Sequence, residues 1–395
     1  VNSFNYFRGI APIIYFFLLI FYYFFFYKKN FKFENNLILT LITIYFALQV
    51  FAAYLAKDTI KDTYYILLGF LTIFLIFFKK FNKFNDDYFK NISIFFIFIL
   101  FLNFLFPQFK NFLHTPLSFY QQWGIGAEKN TIINLFDIDF IYPNILGFSR
   151  YILVLIIYLF FLKKKNFITN TFICILASIL FLLQARATLL IYILFVLLHP
   201  IIFEKINLKI YFKKILLLIF IPIIIFSSIN FLKINYFFKK ELNLRNEEEV
   251  KYFNENGTLF LRPFNKGNFS SDRYQDWENM IKGNINNIWG LGPQGDRKFY
   301  KKTASNGWVY AFICSGYFGF LTLLALTIYS ALISLKYSLL IKKKSKDYSL
   351  LYHPSICLIF IARTFFETSI GVFGVDFILF FYSLFSIQNY LNNER

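Results

Sequence analysis

Apolar runs too long and too free of charge for a soluble core recur along this chain, and they constrain its fold more than any other feature. They lie near 10–27, 37–56, 63–78, 91–106, 144–162, 168–185, 187–203, 215–232, 306–335, 349–366 and 372–391. Several carry 16 or more residues without a charge, close to the roughly 20 that cross a ~30 Å hydrocarbon core as a helix. A membrane β-barrel would instead show short segments of alternating polarity. The expected class is all-α, a polytopic membrane helix bundle of about eleven transmembrane helices. A composition that is 58% apolar and 23% aromatic agrees with it.

The net charge of +19 raises nucleic acid as a partner, but the lysines stand at helix ends rather than in one patch, which argues against it. Loops at 28–36, 79–90, 163–165, 204–214 and 336–347 hold 3, 4, 3, 4 and 5 lysines. These loops alternate along the chain, so the Lys/Arg bias puts them on the cytoplasmic side. The intervening loops, among them 107–143 and 233–305, then face outward, with the N-terminus outside and the C-terminus inside. An outward N-terminus that opens on Val1 points to a non-standard start codon or a missing first helix. The first apolar run lacks a small-residue cleavage site, so no cleavable signal peptide is expected.

Cys174, Cys314 and Cys357 all fall within expected spans and read as buried thiols. His114, His199 and His353 are scattered without ligand spacing, so no metal site is expected. Arginine is the scarce cation, 9 against 32 lysines, so each position that keeps a guanidinium is informative.

The polar segment 233–305 is 73 residues long, and loops of such length are usually functional. It divides the chain into membrane helices one to eight (1–232), the large loop (233–305) and helices nine to eleven (306–395). Within it, 239–251 is charged and reads as a solvated helix, 254–271 looks irregular, and no sheet is needed. Ser271 and Asp272 are placed to cap a helix running to Lys282, with Tyr274, Trp277, Met280 and Ile281 on one face. That helix is expected to lie as a lid parallel to the membrane, with Trp289 near the interface. The loop 107–143 carries Pro107, Pro116, Gly124 and Gly126 and is expected at the membrane surface, Tyr120 and Trp123 at headgroup depth.

Arg150 lies six residues into the fifth span, Arg186 in the tight turn between the sixth and seventh, and Arg363 near the outer end of the tenth. Charges in or beside spans are costly and often mark substrate sites. Snorkelling to the interface is the other reading, and for Arg363 a pair with Glu367, four residues on. In the loop, Arg273 and Arg297 flank Trp289-Gly-Leu-Gly-Pro293, whose glycines permit close backbone approach. Arginines gathered on one leaflet suggest an anionic headgroup held by bidentate contacts. The alternative is a turn with solvated charges.

Ser305-Asn306, followed after nine intervening residues by Gly316-Tyr-Phe-Gly319, resembles the end of the large loop in the O-antigen polymerase and O-antigen ligase family. Arg186-Ala-Thr-Leu-Leu190 is similar to that family's Arg-x-x-x-Leu motif. Arg273 and Trp277 before the Trp-Gly-Leu-Gly-Pro segment fit as well, as does Arg363 before Glu367. The resemblance covers about residues 144–380. Ligases carry His where this chain has Ser305, which turns the resemblance toward the polymerases.

The resemblance implies a glycosyltransferase of the bacterial inner membrane whose active site faces the periplasm. Its partners would be undecaprenyl-pyrophosphate-linked glycan donor and acceptor, the lipid bilayer, a flippase and a chain-length regulator, with no cofactor. Metal-independent chemistry is expected, with arginines stabilising charge on the leaving pyrophosphate. Arg186, Arg273, Glu278, Ser305 and Asn306 become the expected catalytic set. Arg150, Arg186, Arg297, Arg363, Glu367 and Trp277 become the expected pyrophosphate and glycan contacts, and Gly290, Gly292, Gly316 and Gly319 the motif glycines. Glu278, Asp276, Asp272 and Glu367 all stand as candidate general bases. Rival readings are an O-antigen or protein-glycan ligase on the same fold, a lipid-linked oligosaccharide flippase, and a non-catalytic membrane scaffold. The flippase lacks its paired repeats, and a scaffold leaves the arginines unexplained.

Overall fold

The computed structural model describes residues 36–78, 132–135, 138–141, 145–162, 167–183, 186–203, 212, 215–225, 227–228, 273–344 and 348–393. Nine of the eleven apolar runs carry a described helix. Those at 10–27 and 91–106 lie outside the described residues, as do the stretches 239–251 and 254–271, the caps Ser271 and Asp272, and Tyr120 and Trp123. Among the described residues, two helices, Leu37–Ala56 and Gly307–Lys343, are long and apolar enough to cross a membrane.

The helices are numbered in chain order. They are α1 (Leu37–Ala56), α2 (Thr63–Phe78), α3 (Ile145–Phe160), α4 (Phe167–Leu183), α5 (Arg186–Phe203) and α6 (Leu216–Ile225). After the loop come α7 (Arg273–Asn284), α8 (Gly295–Tyr300), α9 (Gly307–Lys344), α10 (Tyr352–Thr364) and α11 (Val375–Asn393). One antiparallel hairpin, β1 (Ile132–Leu135) and β2 (Ile138–Ile141), pairs Ile132 with Ile141 and Leu135 with Ile138. It lies within the segment 107–143, expected as a surface loop, and the architecture stays predominantly helical. Isoleucine-rich segments favour extended backbone where the chain turns back on itself.

The chain forms two compact units, one of residues 82–269 and 344–352, the other of 1–81, 270–343 and 353–395. In the first, α3 packs on α4 and α5, burying Ile152, Ile156 and Leu159. The first turn of α6, Leu216–Phe220, is π-helical, and such a turn disturbs the regular backbone ladder. Neighbouring side chains serve its carbonyls: Tyr192 Oη donates to Leu218 O at 2.6 Å, and Cys174 Sγ to Leu217 O at 3.3 Å.

In the second unit, Asn36 starts α1 by accepting from the Ile38 N–H at 3.0 Å, and its amide donates to Gln388 on α11 at 2.7 Å. Lys57, at φ 60°, ends α1 and turns the chain toward α2, which packs on α11. The ninth apolar run is not one helix. Gly316, at φ 65° and ψ −161°, breaks α9 into a half-helix up to Ser315 and a long helix from Tyr317. The long part continues through Lys336 and Lys342 to Lys344, beyond the expected end of the span. Lysine is a good helix former, and cations suit a helix C-terminus.

The described part of the large loop shares a core with the half-helix. Met280 and Ala304 are buried with Tyr310, Phe312, Ile313 and Cys314. On α7, Trp277, Met280 and Asn284 turn inward. Tyr274 and Ile281, expected on that same face, are 65% and 37% exposed. The inward face follows the polar anchors of α7 more than its apolar residues.

Candidate functional site

The segment Ile288–Gly292 lies in the break of α9. A helix end leaves its last carbonyls without intrahelical donors, and here the loop supplies them. Asn284 Nδ2 donates to Phe312 O at 3.1 Å, Leu291 N to Ile313 O at 2.8 Å, and Gly292 N to Cys314 O at 2.9 Å. Across the break, Tyr317 N donates to Ile288 O at 3.2 Å. A Cβ on Gly316 would stand 1.8 Å from Ile288 O, and one on Gly290 2.5 Å from Gly316 N. One on Gly292 would stand 2.1 Å from Thr59 Oγ1, which itself donates to Leu291 O at 2.8 Å. The motif glycines therefore let backbone approach backbone. Gly319 differs, since its Cβ would meet the Ser315 side chain.

The same loop positions Ser305 and Asn306. Ala304 is held at both ends: its N–H donates to Asp296 Oδ2 at 2.9 Å, and its carbonyl accepts from Trp277 Nε1. Ser305 follows in the left-handed region at φ 47°, its hydroxyl 3.3 Å from that of Thr303. Asn306 caps the half-helix, Oδ1 accepting from Trp308 N at 2.9 Å and Val309 N at 3.1 Å, the usual role of Asn at this position. Its Nδ2 donates to Phe365 O at 2.9 Å, just beyond α10. Arg273 Nη1 donates to the next carbonyl, Phe366 O, at 3.1 Å. Trp308 stacks edge-on against Phe365 with ring centroids 4.1 Å apart.

Arg363, on the last turn of α10, is 2% exposed. Its Nε stands 3.7 Å from Asp376 Oδ2, which also accepts from Ser369 Oγ at 3.2 Å. The acidic partner is thus Asp376 of α11, whereas Glu367 meets Arg363 through backbone, its N–H donating to the Arg363 carbonyl at 2.8 Å. Arg273, Trp277, Ser305, Asn306, Arg363 and Glu367 gather around one end of α10. In comparisons with known proteins, no family model, curated protein or solved structure matches this chain.

The other expected residues lie apart from that cluster. Glu278 pairs with Lys282 at 2.5 Å on the outer side of α7, and Asp276 pairs with Lys302. Arg297 is exposed on α8, and its neighbour Lys298 reaches Asp62 at 2.6 Å. In the other unit, Arg150 is half-buried on α3, next to a Ser149–Thr188 hydroxyl contact of 3.2 Å. Arg186 is the first residue of α5. Among the described residues, no three His, Cys, Asp or Glu side chains gather as a metal site would need. The chain does hold one Asp-x-Asp spacing, Asp137-Ile138-Asp139, with Asp139 on β2 and Asp137 outside the described residues.

Asp296 was not legible as part of this site. It is 1% exposed, and burial pushes its carboxyl above the ordinary carboxylate range, partly offset by the Ala304 and Arg297 N–H groups and the Arg297 charge. Only its place in the polar run just after the Trp-Gly-Leu-Gly-Pro segment could have signalled it. Asp376 was hidden inside an apolar run. Chemically, the cluster offers the half-buried Arg273, whose five-donor fork has one N–H on Phe366 O. Beside it stands the Ser305 hydroxyl on a fixed, left-handed backbone.

Proposed function

We propose that this chain is an integral-membrane glycosyltransferase of the O-antigen polymerase type. It would act at the outer face of a bacterial inner membrane, lengthening undecaprenyl-pyrophosphate-linked glycans. A hydroxyl oxygen of the acceptor sugar forms a bond to the anomeric carbon of the donor glycan. The bond from that carbon to the lipid pyrophosphate breaks, the pyrophosphate leaves, and the hydroxyl proton passes to a base or to water. Arginine donors stabilise the charge on the leaving group.

The observation that supports this reading most is the meeting of Arg273, Ser305-Asn306 and Arg363 around the end of α10. These are three stretches well separated in sequence, each of which carries part of the family resemblance. Ser305 in place of a histidine favours polymerisation over ligation. Arg150 and Arg186 stand in the other unit and enter the proposal through the resemblance alone.

The test is the ladder of lipid-linked glycans in a bacterial strain lacking its own polymerase. Arg273→Lys and Arg186→Lys, at matched expression, should each lower polymer formation by about ten- to a hundredfold, from the roughly 1.5–3 kcal/mol of a charge-assisted contact. Lys342→Ala should leave the ladder unchanged. Wild-type ladders from both arginine variants would sink the pyrophosphate role.

A further inference from the structure

An exposed apolar surface runs without a break from the long part of α9 onto the large loop. Phe318, Leu321, Ile328, Leu332, Leu335 and Leu339 are all exposed along the long part of α9, and their spacing follows one side of a helix. From Phe318 to Leu339 this stripe rises about 32 Å at 1.5 Å per residue, the ~30 Å thickness of a hydrocarbon core. One end of the stripe is bounded by cations. Lys336 is exposed in its last turns, where a long side chain can reach the headgroups, and Lys342 to Lys344 follow.

The other end of the stripe is bounded by the large loop. The Trp289 ring centroid lies 5.4 Å from that of Phe318 and 5.0 Å from that of Phe51. Phe51 is exposed on α1, the other described helix long enough to span. Ile285 and Ile288, just before Trp289, are each 51% exposed. A contiguous apolar surface of this kind is costly in water and marks a contact. Its continuity with the exposed faces of both span-length helices identifies the contact as lipid.

We infer that Trp289, Ile288 and Ile285 form a collar at the loop-side edge of the hydrocarbon, with the Gly316 break in α9 at that depth. The half-helix Gly307–Ser315 and the Ser305-Asn306 motif then lie on the loop side of the hydrocarbon. Water is scarce at this boundary, and non-helical backbone there must be satisfied by protein. The donors from Asn284, Leu291 and Gly292 to the carbonyls of Phe312, Ile313 and Cys314 meet that need. Trp also prefers this interface. The inference rests on the membrane part of the proposed function and not on its glycan chemistry.

The experiment places the full chain in phosphatidylcholine vesicles whose acyl chains are brominated either near the glycerol or near the chain end. One variant keeps Trp289 alone, with Trp123, Trp277 and Trp308 changed to Phe; a companion keeps only Trp277. Shallow bromine should remove about half of the Trp289 emission, as for an interfacial indole. Deep bromine should remove less, and the Trp277 companion should barely respond. Stronger quenching by deep bromine, or equal quenching of both variants, would overturn the assignment. If the tryptophan variants fail to insert, nitroxide labels on Ile285→Cys and Ile288→Cys answer the same question, since the three native cysteines are buried. Collisions with oxygen should exceed those with a water-soluble nickel chelate, and the reverse order would overturn it. A glycan ladder that fails while these depths hold would fault the chemistry alone.

Discussion

Two apolar helices among the described residues depart from a regular ladder, and they are repaired in opposite ways. In α6, the π-turn Leu216–Phe220 has its carbonyls served by single side-chain atoms, the Tyr192 hydroxyl and the Cys174 thiol. In α9, the break at Gly316 is served chiefly by the backbone of another segment. A side-chain repair is local and can be lost one bond at a time. A backbone repair needs two chains in van der Waals contact, so it fixes a whole loop and demands glycine where they touch. The difference teaches where the large loop is anchored, and why its glycines matter without touching a ligand.

The largest effect should come from adding a methyl group where the two backbones meet. Gly316→Ala would put Cβ 1.8 Å from Ile288 O at a φ of 65°, combining a clash that cannot rotate away with left-handed strain. We expect a loss of roughly 3 kcal/mol or more, read as failure to fold or a sharply lower Tm in detergent. Gly374→Ala is the internal control. A Cβ there meets nothing within 4 Å, so the added methyl brings neither a clash nor left-handed strain. Equal losses at both positions would break the comparison.

Next in size is the side chain that belongs to the backbone repair. Asn284 is 1% exposed, and its amide donates to Phe312 O. Asn284→Ala should cost about 1–3 kcal/mol by leaving a buried carbonyl unserved. It should also speed proteolysis across 285–305, because the same loop carries the donors to Ile313 and Cys314. Tyr192→Phe removes one donor from the π-turn while keeping the ring packed. It should cost about 0.5–1.5 kcal/mol and leave proteolysis of the loop untouched. Comparable loosening of the loop by both would show that the repairs do not differ in reach.

The contrast also explains what could be read from the sequence. The helical class, the helices in nine described apolar runs and the loop helix at Arg273 were all legible, because apolar periodicity is a local property. The glycine motif was legible as a place of close approach, but its partner was another part of the chain, and spacing alone does not name a partner. Ser305-Asn306 was legible as a motif, while the capping role of Asn306 emerged only when α9 was seen to start there. The inward face of α7 does not follow a count of its apolar residues. Tyr274 and Ile281 point outward, and the polar Asn284 points in. Likewise the acidic partner of Arg363 was sought one helical turn away and stands on α11 instead, a tertiary choice that no helical spacing encodes.

The smallest effect, and the one that separates the two repairs most finely, concerns pH. Asp296 accepts from Ala304 N and so holds the loop on the repaired side of the α9 break. Its carboxyl is raised by burial, with the surrounding N–H groups and Arg297 pulling back. A group raised in the folded state binds its proton more tightly there than in the open loop, whose value is about 3.9. Its stabilising contribution is therefore complete below that open-state value and is lost as pH rises through the raised folded value. We expect hydrogen exchange at Ala304 and Asn306, corrected for intrinsic rates, to show firmer protection on acidification and a plateau toward neutral pH. Asp296→Asn keeps a carbonyl for Ala304 N and should flatten this dependence, while the amides of the π-turn stay flat in both proteins. Protection that weakens on acidification would mean that the N–H groups outweigh burial, and that the carboxylate rather than the acid anchors the loop.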